Sequence, residues 1–168
     1  MDIQVQPPGV LSWRRRQVRC AIGFGGIGKG KREGDGVTPV GCFPLRRVLY
    51  RPDRQPPPRS ALACRPITPA DGWCDDPADA DYNQLVHLPS TAQHETLWRN
   101  DGLYDVLVEL GYNDDPVIAG RGSAIFLHVA GPGYPATLGC VAISLVDLLS
   151  LLGECDAKTR LCVSRPLQ

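Results

Sequence analysis

No stretch of this sequence approaches the roughly 18–20 continuous apolar residues that a membrane-crossing helix requires, so stable membrane insertion is not expected. The opening twenty residues, MDIQVQPPGVLSWRRRQVRC, hold no apolar run resembling a secretion signal and so give no reading of an export route. Histidine is scarce, at three residues, which leaves few candidate bases. None of the seven cysteines stands in a C-x-x-C pair, which argues against a zinc ribbon or a thioredoxin-type site. No metal and no organic cofactor is expected. Positive charge is not in excess, since 18 Lys and Arg meet 18 Asp and Glu, and no nucleic-acid partner is expected. No internal repeat is visible.

What is present is glycine and proline, 18 and 16 residues, with short apolar runs between them. That pattern predicts strands joined by turns, hence a mostly β fold. A length of 168 residues, 43% hydrophobic, suits one compact domain over residues 1–168 with a sizeable core. Candidate strands are IQVQ (3–6), RQVRCAIG (16–23), GCFPLRRVLY (41–50), LYDVLVEL (103–110), SAIFLHVA (123–130), GCVAIS (139–144) and RLCVS (160–164), the last as an edge strand. The clearest helix is SLVDLLSLLGE (144–154). There Ser144 and Asp147 stand in capping-box positions, Leu145, Leu148, Leu149 and Leu152 share a face, and Gly153 is placed to end the helix. A second, weaker helix is expected in TAQHETLW (91–98). Residues 52–69 contain six prolines, which excludes a central strand and predicts a stiff ordered loop able to wall a groove.

Charge is unevenly distributed along the chain. Residues 1–65 hold 13 Lys and Arg against 4 Asp and Glu, and residues 66–168 hold 5 against 14. The expectation is that the halves interleave in one fold and neutralise each other, the rival being a face that attracts an anion. Seven cysteines leave at least one unpaired within a monomer. Cys64 with Cys74, and Cys155 with Cys162, are possible bridges; the other reading makes most of them small buried apolar residues.

The segment GFGGIGKGK (23–31) nearly fits two nucleotide-binding motifs. Both need a helix directly after the glycines, because its N-terminal N–H groups hold the phosphate. The continuation KREGDGVTPVGCFPL has no helical periodicity, and Gly30 stands where a P-loop needs Ser or Thr. A turn-rich strand connection is the better reading. His87 and His94 read as structural or exposed, with nothing in their spacing that requires a metal.

His128 and Cys140 differ from these, because they stand at the two rims of one loop, HVAGPGYPATLGC. A cysteine attacks as thiolate, and a neighbouring imidazole lowers its pKa and takes its proton. Gly139 removes side-chain bulk next to the nucleophile, so that a substrate carbonyl can reach backbone N–H groups acting as an oxyanion hole. The rival reading is a core cysteine beside an unrelated histidine.

Together these residues resemble an L,D-transpeptidase catalytic domain of the YkuD type. That family reads His, a loop, then Ser/Thr-x-Gly-Cys-hydrophobic; here His128 is followed by Thr137-Leu138-Gly139-Cys140-Val141. A second family feature, Lys then Thr-Pro-x-Gly-x-Phe, is matched upstream by Lys31 with Thr38, Pro39, Gly41 and Phe43. The resemblance covers roughly residues 15–153. It implies an L,D-transpeptidase-like β-sandwich with one or two short helices and long Pro-rich loops. It also implies that Cys140 forms a thioester with a peptidoglycan donor stem, with His128 as base, a backbone carbonyl just after it orienting the ring, and the N–H groups of Gly139 and Cys140 on the oxyanion. A neighbouring stem's diaminopimelate amine then takes the acyl group. Thr137 and Tyr134 would touch substrate. A place in the cell envelope or periplasm follows from that substrate; a monomer is the expected state, with oligomerisation left open by the sequence.

The chain departs from the family in carrying Leu138 where many members have His, and Ala142 where many have Arg or Asn. Arg121, or Arg46 or Arg47, is a candidate replacement cation. DGWCDDPADADYN and GCVAIS resemble a divergent branch that makes 1,3 rather than 3,3 cross-links. On that reading PDRQPPPR, Trp73 and Tyr82 wall the donor groove; otherwise they pack a long loop. A hydrolase using the same residues and a non-enzymatic cell-wall-binding module are the rivals. A papain or NlpC/P60 peptidase is disfavoured because those place the cysteine before the histidine.

Overall fold

A computed structural model of the protein describes residues 1–165, and its architecture is mostly β, as the glycine- and proline-punctuated sequence predicts. In chain order the strands are β1 (Asp2–Gln6), β2 (Val10–Trp13), β3 (Arg16–Arg19), β4 (Ile27–Gly28), β5 (Thr38–Pro39), β6 (Gly41–Tyr50) and β7 (Cys64–Pro66). There follow β8 (Asp71–Cys74), β9 (Leu85–His87), β10 (His94–Thr96), β11 (Val106–Leu110), β12 (Phe126–Val129) and β13 (Val141–Ile143). Helix α1 (Leu145–Leu152) and strand β14 (Arg160–Val163) complete the described chain. Nine strands form one sheet in the order β13-β12-β11-β6-β14-β1-β2-β3, with β7 also beside β6. Strands β10-β8-β9 make a small sheet, and β4 and β5 pair.

The ten residues of β6 organise the large sheet. One of its edges carries β11; the other carries β14 against Gly41–Pro44 and β7 against Val48–Tyr50. Side chains alternate across a strand, so each central strand feeds two cores. Leu45, Val48, Val106, Val108, Leu127 and Val141 pack on one face with Leu148, Leu151 and Leu152 of α1. Leu49, Leu107 and Phe126 point the other way, against Trp73, Leu97 and Tyr104 beneath the small sheet.

Several expectations are corrected. β14 is not an edge strand: β1 returns from the N-terminus to pair with it in parallel, which buries Leu161 completely. TAQHETLW is not a helix; His94–Thr96 instead pairs with β8, whose four residues are all buried. Register also decides the disulfide. Cys42 and Cys162 face each other across β6 and β14 and are bonded, 120 residues apart, so Cys162 is not free for Cys155. Cys64 and Cys74 are both free thiols. The proline-rich 52–69 segment is ordered, and its β7 runs parallel beside β6.

Helix α1 starts as its sequence dictates. Ser144 Oγ accepts from the Asp147 N–H at 3.1 Å, and its hydroxyl donates to the Asp147 carboxylate at 2.5 Å. Gly153 closes the helix in a right-handed conformation, φ −64°, so its freedom to turn left is not used. Pairs such as Arg14–Glu154, Arg46–Asp114, Arg47–Glu109 and Arg54–Asp105 join the basic first half to the acidic second, as expected. No helix among the described residues is long and apolar enough to cross a membrane.

Candidate active site

β12 and β13 are parallel neighbours, with Leu127 opposite Val141 and His128 opposite Ala142. Two-residue periodicity therefore turns Phe126, His128, Cys140 and Ala142 toward one face of the sheet and Leu127, Val141 and Ile143 toward the other. On that face His128 and Cys140 line the same groove, of about 500 Å³.

Parallel strands cannot be joined by a tight hairpin, so the chain from Ala130 to Gly139 must travel back the length of β12. Residues 21–24 hold it. Ala21 and Ala142 exchange backbone hydrogen bonds of 2.7 and 3.0 Å, the Thr137 N–H donates to Ile22 O at 2.9 Å, and the Phe24 N–H donates to Thr137 O at 2.9 Å. Here the glycine run finds its purpose. A Cβ on Gly23 would lie 2.0 Å from Gly36 O and 3.0 Å from Gly139 Cα, so only glycine lets these backbones meet. Thr38 Oγ1 accepts the Gly23 N–H at 2.8 Å. No helix follows the glycines, in line with their reading as a strand connection. The loop's far side is fastened by Arg19, which donates to Gly133 O at 3.0 Å and lies over the Tyr134 ring.

The turn before the sulfur is fixed as tightly. Gly139 sits at φ +133°, where a Cβ would be 2.9 Å from Val37 O and 3.1 Å from Lys31 Nζ. Thr137 Oγ1 accepts from the Gly139 N–H at 3.2 Å and donates to Cys140 O at 2.6 Å. In this resting arrangement the Gly139 N–H is engaged by Thr137.

His128 is buried, and its Nδ1 lies 2.9 Å from Val129 O. A carbonyl can only accept, so Nδ1 carries the proton and Nε2 keeps its lone pair. The Tyr104 ring meets the imidazole edge-on at 5.3 Å. Burial pushes the His128 pKa down to about 4, against the pull of the Val129 and Leu103 carbonyls. Burial also pushes the Cys140 thiol up to about 12; the Glu95 carboxylate adds to this, while the Phe126 N–H and Lys31 oppose it. Sγ donates to Ala124 O at 3.1 Å and accepts the Phe126 N–H at 3.3 Å. Among the described residues no hydrogen bond joins the sulfur to the imidazole. The resting pair is a neutral thiol and a neutral imidazole, not a thiolate and an imidazolium.

Of the residues expected to touch substrate or replace the missing cation, Thr137 lines the groove, while Trp73, Tyr82, Arg121, Arg46, Arg47 and Tyr134 do not. Trp73 is buried behind it, with its ring edge-on to Phe126 at 5.0 Å and its Nε1 donating to Asn83 Oδ1 at 3.0 Å. Tyr82 is likewise buried; its hydroxyl donates to Glu33 and accepts the Gly122 N–H, so it props a wall residue rather than being one. Arg121 is exposed outside the groove, and Arg46 and Arg47 are paired with Asp114 and Glu109. Tyr134 faces Arg19. The 52–69 loop also contributes nothing to the groove lining.

The walls instead bring Lys31, Glu33, Asp75, Glu95, Arg99 and Tyr104 together. Tyr104 donates to Glu95 Oε1 at 2.5 Å, and Arg99 lies over the Tyr104 ring while pairing with Asp101. Lys31 is recognisable in the sequence through its place before Thr38-Pro39. Glu95 and Tyr104 carry no such signal, since Glu95 reaches the groove through the pairing of β10 with β8 and Tyr104 from the turn before β11. No group of three metal-ligating side chains is assembled among the described residues.

The model of one protein family, described as the L,D-transpeptidase catalytic domain (YkuD), matches residues 7–163. No curated protein matches the chain.

Proposed function

The chain belongs to the L,D-transpeptidase (YkuD) catalytic-domain family, whose enzymes act on peptidoglycan stem peptides, and from that premise we propose that it transfers acyl groups between stems through Cys140. The thiol first leaves Ala124 O and gives its proton to Nε2 of His128. Sulfur attacks the donor carbonyl carbon, a C–S bond forms, and the displaced π pair moves to oxygen, where the Cys140 backbone N–H meets it. The Gly139 N–H joins only when its bond to Thr137 gives way. Collapse of the tetrahedral species breaks the C–N bond, and the departing amine takes the proton from Nε2. The acceptor amine, on this reading that of diaminopimelate, then attacks the thioester carbon. Its proton passes through Nε2 to the sulfur as the C–S bond breaks.

The observation that carries this reading is the placing of His128 on the same sheet face as Cys140, with Nδ1 tied to the carbonyl just after it. That tie orients the ring, and the depressed pKa keeps Nε2 free to act as a base at neutral pH. Work in the cell envelope fits the Cys42–Cys162 disulfide, since such bonds persist in oxidising compartments.

Purified protein incubated with defined muropeptides and read by mass spectrometry tests the proposal. Cross-linked dimers are expected, and their fragmentation distinguishes 1,3 from 3,3 links. Shortened monomers alone would assign hydrolysis to the same two residues. Cys140→Ala is expected to abolish product while leaving the fold intact, and full activity in that variant ends the thioester mechanism.

A further inference from the structure

The Arg or Asn that many family members carry two residues beyond the cysteine is replaced here by Ala142, which lines the groove without charge. Two cations remain in the groove, Arg99 and Lys31. Arg99 is occupied: it pairs with Asp101, approaches Glu95 at 3.7 Å and covers Tyr104. Lys31 differs, because its side chain is only 3% exposed and its ammonium is brought beside the Gly139–Cys140 turn. Its stem is laid against Gly122, where a Cβ would meet Cε at 2.8 Å. Asp35 positions it, accepting from Nζ at 2.9 Å while its two oxygens also take the Arg32 N–H at 2.6 Å and the Val37 N–H at 2.9 Å. An ammonium has three N–H donors, and Asp35 is the one hydrogen-bond partner that Nζ has among the described residues. Glu33, Asp75 and Glu95 make the rest of this groove acidic, so an anion arriving at the sulfur finds its cation at Lys31.

From this arrangement we infer that Lys31 binds a free carboxylate on the residue that leaves the acyl donor, restricting the enzyme to donors whose scissile amide is flanked by that group. The inference rests on the acyl-transfer reading above. The chemistry matches, because a terminal residue departing as a free amino acid carries its α-carboxylate two bonds from the departing nitrogen. Lys31 gives up no proton in this role and forms no covalent bond. It holds the leaving group while His128 protonates the nitrogen.

Two measurements test the inference. The first compares muropeptide donors that end in a carboxylate or in a carboxamide. Wild type is expected to favour the carboxylate by about tenfold or more in kcat/KM, the discrimination that one charge-assisted hydrogen bond gives. Lys31→Met and Lys31→Gln are expected to lose that preference by slowing the carboxylate donor alone. Equal slowing of both donors would place Lys31 in the service of the thiolate or the fold, and overturns the inference. The second measurement needs no muropeptide: alkylation of Cys140 by iodoacetate and by iodoacetamide, followed on the Cys140 peptide by mass spectrometry. The ratio of the two rates cancels the thiolate fraction, and it is expected to fall by several-fold in both variants. An unchanged ratio in folded variants overturns the inference. A ratio that depends on Lys31 in a protein inert toward muropeptides keeps the anion site and removes the peptidoglycan reading.

Discussion

At the scale of single residues, burial dominates the chemistry of the site. His128 has no carboxylate partner, and its ring is closed in by Tyr104 and the sheet, so its charged form is the one penalised. A base whose pKa is depressed in the folded state takes up its proton first in the unfolded chain. Its stability contribution is therefore full above the ordinary imidazole value of 6.5 and is lost as pH falls from there toward about 4. Urea unfolding should show wild type losing about 2 kcal/mol more than His128→Gln between pH 7 and pH 5. Equal losses would mean that the imidazole is hydrated and titrates normally. The same burial keeps the Cys140 thiol largely protonated at rest, and on the proposed acyl-transfer reading its full activation waits for a donor that brings Sγ and Nε2 together.

At the scale of elements, the groove depends on how a long return between parallel strands is stapled down. Residues 21–24 and Arg19 hold that return from either side, and α1 follows β13 directly, sealing the core beneath it. The Ser144 cap starts α1 one residue after the strand that bears Ala142 and Ile143. Ser144→Ala removes both the N–H acceptor and the hydroxyl bond to Asp147, and it should lower unfolding free energy by about 1 kcal/mol. On the proposed function muropeptide turnover should persist, because the face bearing His128 and Cys140 lies on the other side of β13; loss of turnover without loss of stability would contradict that division.

At the scale of the whole molecule, the Cys42–Cys162 bond ties β14 to β6 in the middle of the large sheet. It closes a loop of 120 residues, so the unfolded chain is strongly constrained by it. Replacing both cysteines by serine should cost about 2–5 kcal/mol, seen as a lowered unfolding midpoint that reductant does not lower further. A variant as stable as the wild type would show that the β14–β6 ladder suffices alone.

The sequence by itself determined the local features: the β class, the full extent of β6, the Ser144 cap, the glycine run's lack of a following helix, and the placing of His128 and Gly139-Cys140 at the two ends of one loop. Each is set by neighbours in the chain, through period, cap chemistry or motif spacing. Only the tertiary structure decided which strands lie inside the sheet, which cysteines meet, and which charges face the sulfur. His94–Thr96, within TAQHETLW, became a strand because β8 offered it an edge. Trp73 moved behind the wall because its ring fills the second core, Tyr82 because its buried hydroxyl binds Glu33 and the Gly122 N–H, and Lys31 moved into the groove because Asp35 and two glycines give its stem a channel. Those outcomes turn on register and burial between residues far apart in the chain, and spacing along a sequence does not carry that information.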